Sequence, residues 1–271
     1  MNPSPIPVQL SQSSLSDYQT CPRRFELRYI QGLYWPAVEA EPVREVERLA
    51  RLGRDFHRLV QQHLAGLPVD ALTASLSGAE PELQGWWKAY LAYRPALDEA
   101  VLYPELTLSA PLNGHRLVAR LDLLAVLPGN RLLVVDWKTA LHPPDRDTLA
   151  RRVQTRLYLY VVARAAGPYC PTRPIDPAAV QMMYWYPAAP RSPVVFEYSP
   201  ARFQADEQFL SGLITNIQEA AASATFPQTT DTRACAACSY RSLCNRGLQA
   251  GPVSELDADP ADMFDLPVLD W

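Results

Sequence analysis

VLYPELTLSAPLNGHRLVARLDLLAVLPGNRLLVVDWK, residues 101–138, decides the reading of this chain. Three β-rich segments, 101–109, 115–127 and 131–138, are separated by Pro111-Leu112-Asn113-Gly114 and by Pro128-Gly129-Asn130. Asn-Gly is the strongest short hairpin signal, because a two-residue type I′ turn needs positive φ at both central positions. With that turn Leu112 pairs with His115, and continuing along the strands brings Glu105 opposite Asp122. Taking Pro128-Gly129-Asn130 as a three-residue turn brings Asp122 opposite Asp136. Lys138, two residues further on, shares that face by the strand's period of two. Pro104 marks a place where a bulge or an edge position is expected, since proline donates no ladder hydrogen bond.

Directly opposed side chains have Cβ atoms about 5 Å apart, so three carboxylates in a row repel one another. The face that carries them continues as Leu124, Val126, Leu132 and Val134. Burying a carboxylate without a partner costs several kcal/mol. A divalent cation among the three acids removes the conflict, and hard oxygen ligands point to Mg²⁺ or Mn²⁺. Each acid taken singly reads as a solvated strand end; the alignment is what points to a site.

Outward from this meander the texture is helical. Residues 43–65 carry Val46, Leu49, Leu52, Phe56, Leu59 and Val60 at helical spacing, and 80–98 carry Trp86, Trp87, Tyr90 and Leu91. Further helices are expected at 145–166 and at 201–222, the latter capped by Ser199-Pro200. Strands are expected at 178–186 and 193–198. Near the N-terminus Ser14 and Asp17 read as a capping pair, and a second helical stretch runs from Cys21-Pro22 to about Ile30.

A chain of 271 residues is long enough to bury a full core. Its net charge of −4 argues against a general nucleic-acid binder, but the acids Glu255, Asp257, Asp259, Asp262, Asp265 and Asp270 crowd the tail after Gly251. The arginines cluster instead at 23–28, 44–58 and 146–156, while Lys88 and Lys138 are the two lysines. No apolar run approaches the roughly 18–20 residues of a membrane span, and no signal-peptide core is seen, so a cytoplasmic location is expected. Of the 5 cysteines, three fall within 235–244. In a reducing compartment that points to a metal or cluster site rather than disulfides. No G-x-x-x-x-G-K-[ST] stretch occurs, so any motor activity must come from a separate helicase chain.

Asp122 followed by Asp136-Trp137-Lys138 at a strand end resembles the PD-(D/E)XK nuclease superfamily, and within it the RecB-like, AddB-like branch. Gly53-Arg-Asp-Phe-His57 is similar to that branch's GxxxH element, and Gln154-Thr-Arg-Leu-Tyr158 to its QxxxY element. Cys21 with Cys235-x₂-Cys238-x₅-Cys244 is similar to the one-plus-three cysteine pattern of its [4Fe–4S] members. The resemblance spans about residues 10–246. It implies an α/β (mixed α+β) fold: a restriction-endonuclease-like core with a central mixed sheet flanked by helices, plus an N-terminal helical layer. A single domain is expected over 1–250, with the helical part at about 10–98, the catalytic core at about 99–222 and the cysteine region at 235–244. The acidic tail, 251–271, is expected to be disordered, or to dock a partner through Met263–Trp271.

By the same resemblance His57, Asp122, Asp136 and the main-chain carbonyl of Trp137 hold the metal. Lys138 orients water or stabilises the transition state, a task suited to a compact ammonium. Glu105 binds a second ion or reaches the first through water. Gln154 and Tyr158, one helical turn apart, position the scissile strand, and Arg151 and Arg152 meet phosphates. The four cysteines hold a [4Fe–4S] cluster; zinc is the alternative, but Cys₄ zinc sites pair two short knuckles and this set has one. The expected activity is metal-dependent hydrolysis of DNA, single-stranded or at duplex ends, as an exonuclease in repair or recombination. The competing reading is a catalytically silent iron–sulfur DNA-binding subunit of a helicase–nuclease complex.

Overall fold

A computed structural model of the chain describes residues 6–33, 43–170, 174–235 and 238–247. The acidic tail at 251–271 lies outside the described residues. In chain order the elements are β1 (Gln9–Ser11), α1 (Gln12–Thr20), α2 (Pro22–Phe25, continued by a π turn Glu26–Ile30), α3 (Val43–Leu64), α4 (Val69–Ser75) and α5 (Pro81–Tyr93). There follow β2 (Val101–Leu112), β3 (His115–Leu127), β4 (Arg131–Trp137), α6 (Arg146–Arg151), α7 (Val153–Ala165), β5 (Val180–Trp185), β6 (Val194–Glu197) and α8 (Pro200–Ala222). Among the described residues no helix is long and apolar enough to cross a membrane.

The strands form one mixed sheet of 6, ordered β1-β3-β4-β5-β6, with β2 also paired to β3. β3 and β4 are antiparallel, β4 and β5 parallel, β5 and β6 antiparallel. The parallel pair is joined by the crossover that carries α6 and α7, as parallel strands require. Asn113 and Gly114 have φ of 47° and 78°, the type I′ signature. Leu127 pairs with Arg131 and Leu123 with Val135, so the second turn has the expected three residues and the register continues towards Asp122 and Asp136. At Glu105 the backbone turns left-handed, φ 52°. A non-glycine residue held there costs about 1–3 kcal/mol.

The described parts of the chain fall into two compact units. One comprises residues 51–110 and 118–207. Its core takes alternate residues of β3 and β4 (Leu123, Ala125, Leu133, Val135, Trp137) together with Phe56 and Val60 of α3 and Trp86, Trp87 and Tyr90 of α5. Aromatic rings lock it: Tyr90 meets Trp137 edge-on at 5.5 Å, and Phe56 stacks on Trp185 at 6.4 Å. Such pairs add about 0.5–1.5 kcal/mol each beyond burial. The opposite side of the sheet is covered by α7, which packs on β5.

The other unit comprises the described parts of residues 1–50, 111–117 and 208–271. Ser11, not Ser14, is the N-cap of its first helix; Ser14 serves as the returning partner of that capping box. The residues meant to form the box were thus placed one turn too late, because Ser-x-x-Ser closes it as well as Ser-x-x-Asp. Asp17 instead turns inward and holds Arg24 at 2.7 Å and Arg28 at 3.2 Å. Phe25 stacks on Phe226, the Arg23 N–H donates to the Pro227 carbonyl, and the Tyr240 hydroxyl donates to the Leu33 carbonyl. These contacts bring the Cys21 segment beside residues 226–246.

A Cβ added at Gly114 meets no neighbour, so Gly114→Ala isolates the backbone cost of the type I′ turn. The expected loss is about 1 kcal/mol, read as a lower urea midpoint with unchanged slope. An unchanged midpoint would contradict the turn.

Candidate functional site

The ends of β3 and β4 carry the charged groups that the pleat brings to one face. Asp122 is held on both sides. Its Oδ2 accepts the backbone N–H of Trp137 at 2.8 Å, and its Oδ1 lies 3.3 Å from His57 Nδ1. Burial alone would raise the Asp122 pKa, but His57 and Lys138 bring it below the ordinary carboxylate value. Burial pushes the His57 imidazole down, yet the charge and hydrogen bond of Asp122 outweigh it and lift the pKa to about 9. His57 Nε2 is buried with no hydrogen-bond partner.

Glu105 reaches the same place from its left-handed backbone. Its Oε2 accepts Arg120 Nε at 3.2 Å and Nη2 at 3.1 Å. Burial and the charge of Asp122 raise its pKa, and Arg120 opposes them. His57, Glu105 and Asp122 each offer a ligand atom, and the three atoms lie within 4.8 Å of one another. An imidazole beside two carboxylates is a donor set that fits a divalent cation.

Asp136 and Lys138 form a second, deeper group. Each is 2% exposed, and Lys138 Nζ stands 3.0 Å from Asp136 Oδ2. Asp136 Oδ1 accepts Gln154 Nε2–H at 2.7 Å. The expected row of three acids is therefore divided: Glu105 joins Asp122 in the tight group, while Asp136 turns to Lys138 and Gln154. The Trp137 side chain fills the core, and its backbone N–H fastens Asp122. Gln154 holds Asp136, and Tyr158 is buried on α7. Arg151 is exposed and Arg152 half-buried at the α6–α7 junction.

Sequence reasoning missed three neighbours. Arg120 lies two residues before Asp122, so the period of two already placed it on that face. Tyr184 and Thr155, both fully buried, meet at 2.8 Å beside Gln154; their signal is the β4–β5 register, which no local pattern carries. The remaining histidines are accounted for elsewhere. His63 bonds the Tyr90 hydroxyl, His115 the Pro7 carbonyl and Gln218, and His142 is exposed.

In the other unit Cys21, Cys235, Cys238 and Cys244 line one cavity, with Arg24, Tyr240 and Arg241 among its walls. All are free thiols. Burial, then the nearby Cys21, push the Cys244 thiol up. Cys170 lies elsewhere, beside the Gly129-Asn130 turn.

The model of the PD-(D/E)XK nuclease superfamily matches residues 9–245. The chain belongs to that superfamily. Its mixed sheet flanked by helices is the restriction-endonuclease-like core, and membership makes it a nuclease that hydrolyses phosphodiester bonds with divalent metal. Among solved structures, a putative exonuclease from Eubacterium rectale is similar at 11% identity over 92% of each chain, with a TM-score of 0.51. A protein titled SSO0001 is similar at 12% identity over 88% of this chain and 85% of its own, with a TM-score of 0.40. No curated protein matches the sequence.

A metal on the imidazole must displace the proton that His57 keeps up to about 9. Mn²⁺ affinity is expected to rise with pH between 7 and 9, by up to about tenfold per unit, and then level off. Calorimetric titration of wild type against His57→Gln checks this; a wild-type affinity independent of pH would contradict it.

Proposed function

We propose that the chain is a metal-dependent deoxyribonuclease acting as an exonuclease on single-stranded DNA or duplex ends, in repair or recombination. The observation that carries this is the His57–Glu105–Asp122 group beside the buried Asp136–Lys138 pair. His57, Glu105 and Asp122 would hold Mg²⁺ or Mn²⁺, with Asp136 bordering them. The ion supplies a Lewis acid that polarises the phosphoryl group and acidifies water.

The protein's own part is to aim and to neutralise. The Trp137 N–H and His57 fix the Asp122 carboxylate from two directions. Lys138, buried and paired, brings a positive charge that costs no reorganisation when negative charge grows on the phosphate. Arg120, 69% exposed and anchored on Glu105, stands where a backbone phosphate would approach. Arg151 and Arg152 extend the positive surface along the α6–α7 junction, where contacts fix the register of a strand rather than read its sequence.

Asp122→Asn and Lys138→Ala are each expected to slow Mn²⁺-dependent hydrolysis of end-labelled single-stranded DNA about a hundredfold or more. Closed circular single strands should resist the wild type. Equal inactivity of wild type and variants would favour the DNA-binding reading, and cutting of circles would make the enzyme an endonuclease.

We infer that the four-cysteine cavity holds a [4Fe–4S] cluster. Cys21, Cys235, Cys238 and Cys244 all line that one cavity, which Arg24 and Arg241 also border. Tetrahedral Cys₄ zinc sites typically pair two short knuckles, and this set has one, Cys235-x₂-Cys238, with Cys244 and the distant Cys21. Protein purified without oxygen should be brown with about four irons per chain. Cys244→Ser should lose the colour and lower the thermal midpoint, because the cluster links Cys21 to 235–244. Stoichiometric zinc without iron would overturn the assignment.

A further inference from the structure

Glu105 stands between two kinds of partner. On one side its carboxylate joins His57 and Asp122, the three ligand atoms lying within 4.8 Å of one another. On the other, its Oε2 accepts both Nε–H and Nη2–H of Arg120, at 3.2 and 3.1 Å. The Glu105 side chain is 19% exposed and that of Arg120 69%. The carboxylate is thus the inner group and the guanidinium the outer one.

Counting charge shows what a cation would change. Ionised, Glu105 and Asp122 carry two negative charges. In the structure Arg120 answers Glu105, and His57 faces Asp122 at 3.3 Å. A divalent cation on the two carboxylates would neutralise both by itself. The charge of Arg120 is then surplus, and it competes with the cation for one carboxylate. A guanidinium cannot shed its proton to relieve that conflict. Being mostly exposed, it can instead turn outward onto an anion. The substrate of a nuclease supplies one: a backbone phosphate carries a single negative charge and suits the guanidinium fork.

We propose that Arg120 is a metal-coupled phosphate clamp, which exchanges Glu105 for a backbone phosphate when Glu105 turns to a divalent cation. Metal and strand then favour each other, by the same factor in each direction. The inference rests on the metal reading of His57, Glu105 and Asp122, and gives that site a way to hold the strand firmly only when it is loaded.

Two variants, Arg120→Gln and Arg120→Lys, test this. Mn²⁺ is titrated calorimetrically without DNA, and a phosphorothioate-linked single strand, which resists hydrolysis, is bound with and without Mn²⁺. Arg120→Gln removes the competing charge and should tighten Mn²⁺ binding about threefold to tenfold. Arg120→Lys keeps the charge and should stay near wild type. With Mn²⁺ present, Arg120→Gln should bind the strand more weakly, and its slope of log affinity against log salt should be shallower by about 0.7, one phosphate contact on a single strand. Without Mn²⁺ the slopes of wild type and Arg120→Gln should agree. Mn²⁺ binding that is unchanged or weaker in Arg120→Gln would make Arg120 only a holder of Glu105 and overturn the proposal. So would a loss of slope that is absent with Mn²⁺ or equal without it. A wild type that binds no Mn²⁺ would defeat the metal reading itself, whereas these other failures leave that reading standing.

Discussion

The site depends on a buried ion pair at the end of β4. Asp136 and Lys138 are each 2% exposed, and removing either partner of such a pair leaves a charge whose burial costs about 3–5 kcal/mol. The fold meets this demand from α7, which supplies Gln154. Between the two charges, Trp137 sends its side chain into the core on the other face of the sheet and gives its N–H to Asp122. The acid–x–lysine spacing therefore does three things at once, because a strand alternates its faces.

Around that pair the chain accepts local costs that a purely structural sheet would avoid. Glu105 adopts φ 52°, and two carboxylates crowd one imidazole. Without a metal, the protonated His57 and the guanidinium of Arg120 supply the balancing charge. Strain and a raised imidazole pKa in one place are the pattern expected where a cation belongs. The second unit solves a different problem. It draws Cys21 to the 226–246 segment through Asp17–arginine pairs and the Phe25–Phe226 stack, so that four thiols face a single cavity.

Much of this was legible in the sequence where the signal is local. Asn113-Gly114 and Pro128-Gly129-Asn130 gave both turns and the β3–β4 register, and the apolar spacing at Leu52, Phe56 and Val60 gave α3. β1 and α4 were not seen, since three residues and a weakly patterned seven carry too little periodicity. The expected helix at 145–166 breaks at Arg152, whose ψ of 140° is held by neighbours rather than by a proline or glycine. Within the site the alignment set the three acids in one row, whereas the structure groups Glu105 with Asp122 and turns Asp136 to Lys138 and Gln154. A register places Cβ atoms, whereas the partner each carboxylate chooses depends on Gln154, Arg120 and His57, which arrive from other elements. Tyr184 and Thr155 were invisible for the same reason.

The central claim is that His57, Glu105 and Asp122 form a divalent-metal site. Anomalous diffraction from crystals soaked in Mn²⁺ tests it most directly. The account predicts a single strong peak at coordinating distance, about 2.2 Å, from an imidazole nitrogen of His57 and a carboxylate oxygen each of Glu105 and Asp122. The peak should vanish in His57→Ala crystals treated alike. Mn²⁺ bound elsewhere in the chain, with the three side chains still holding one another, would contradict it.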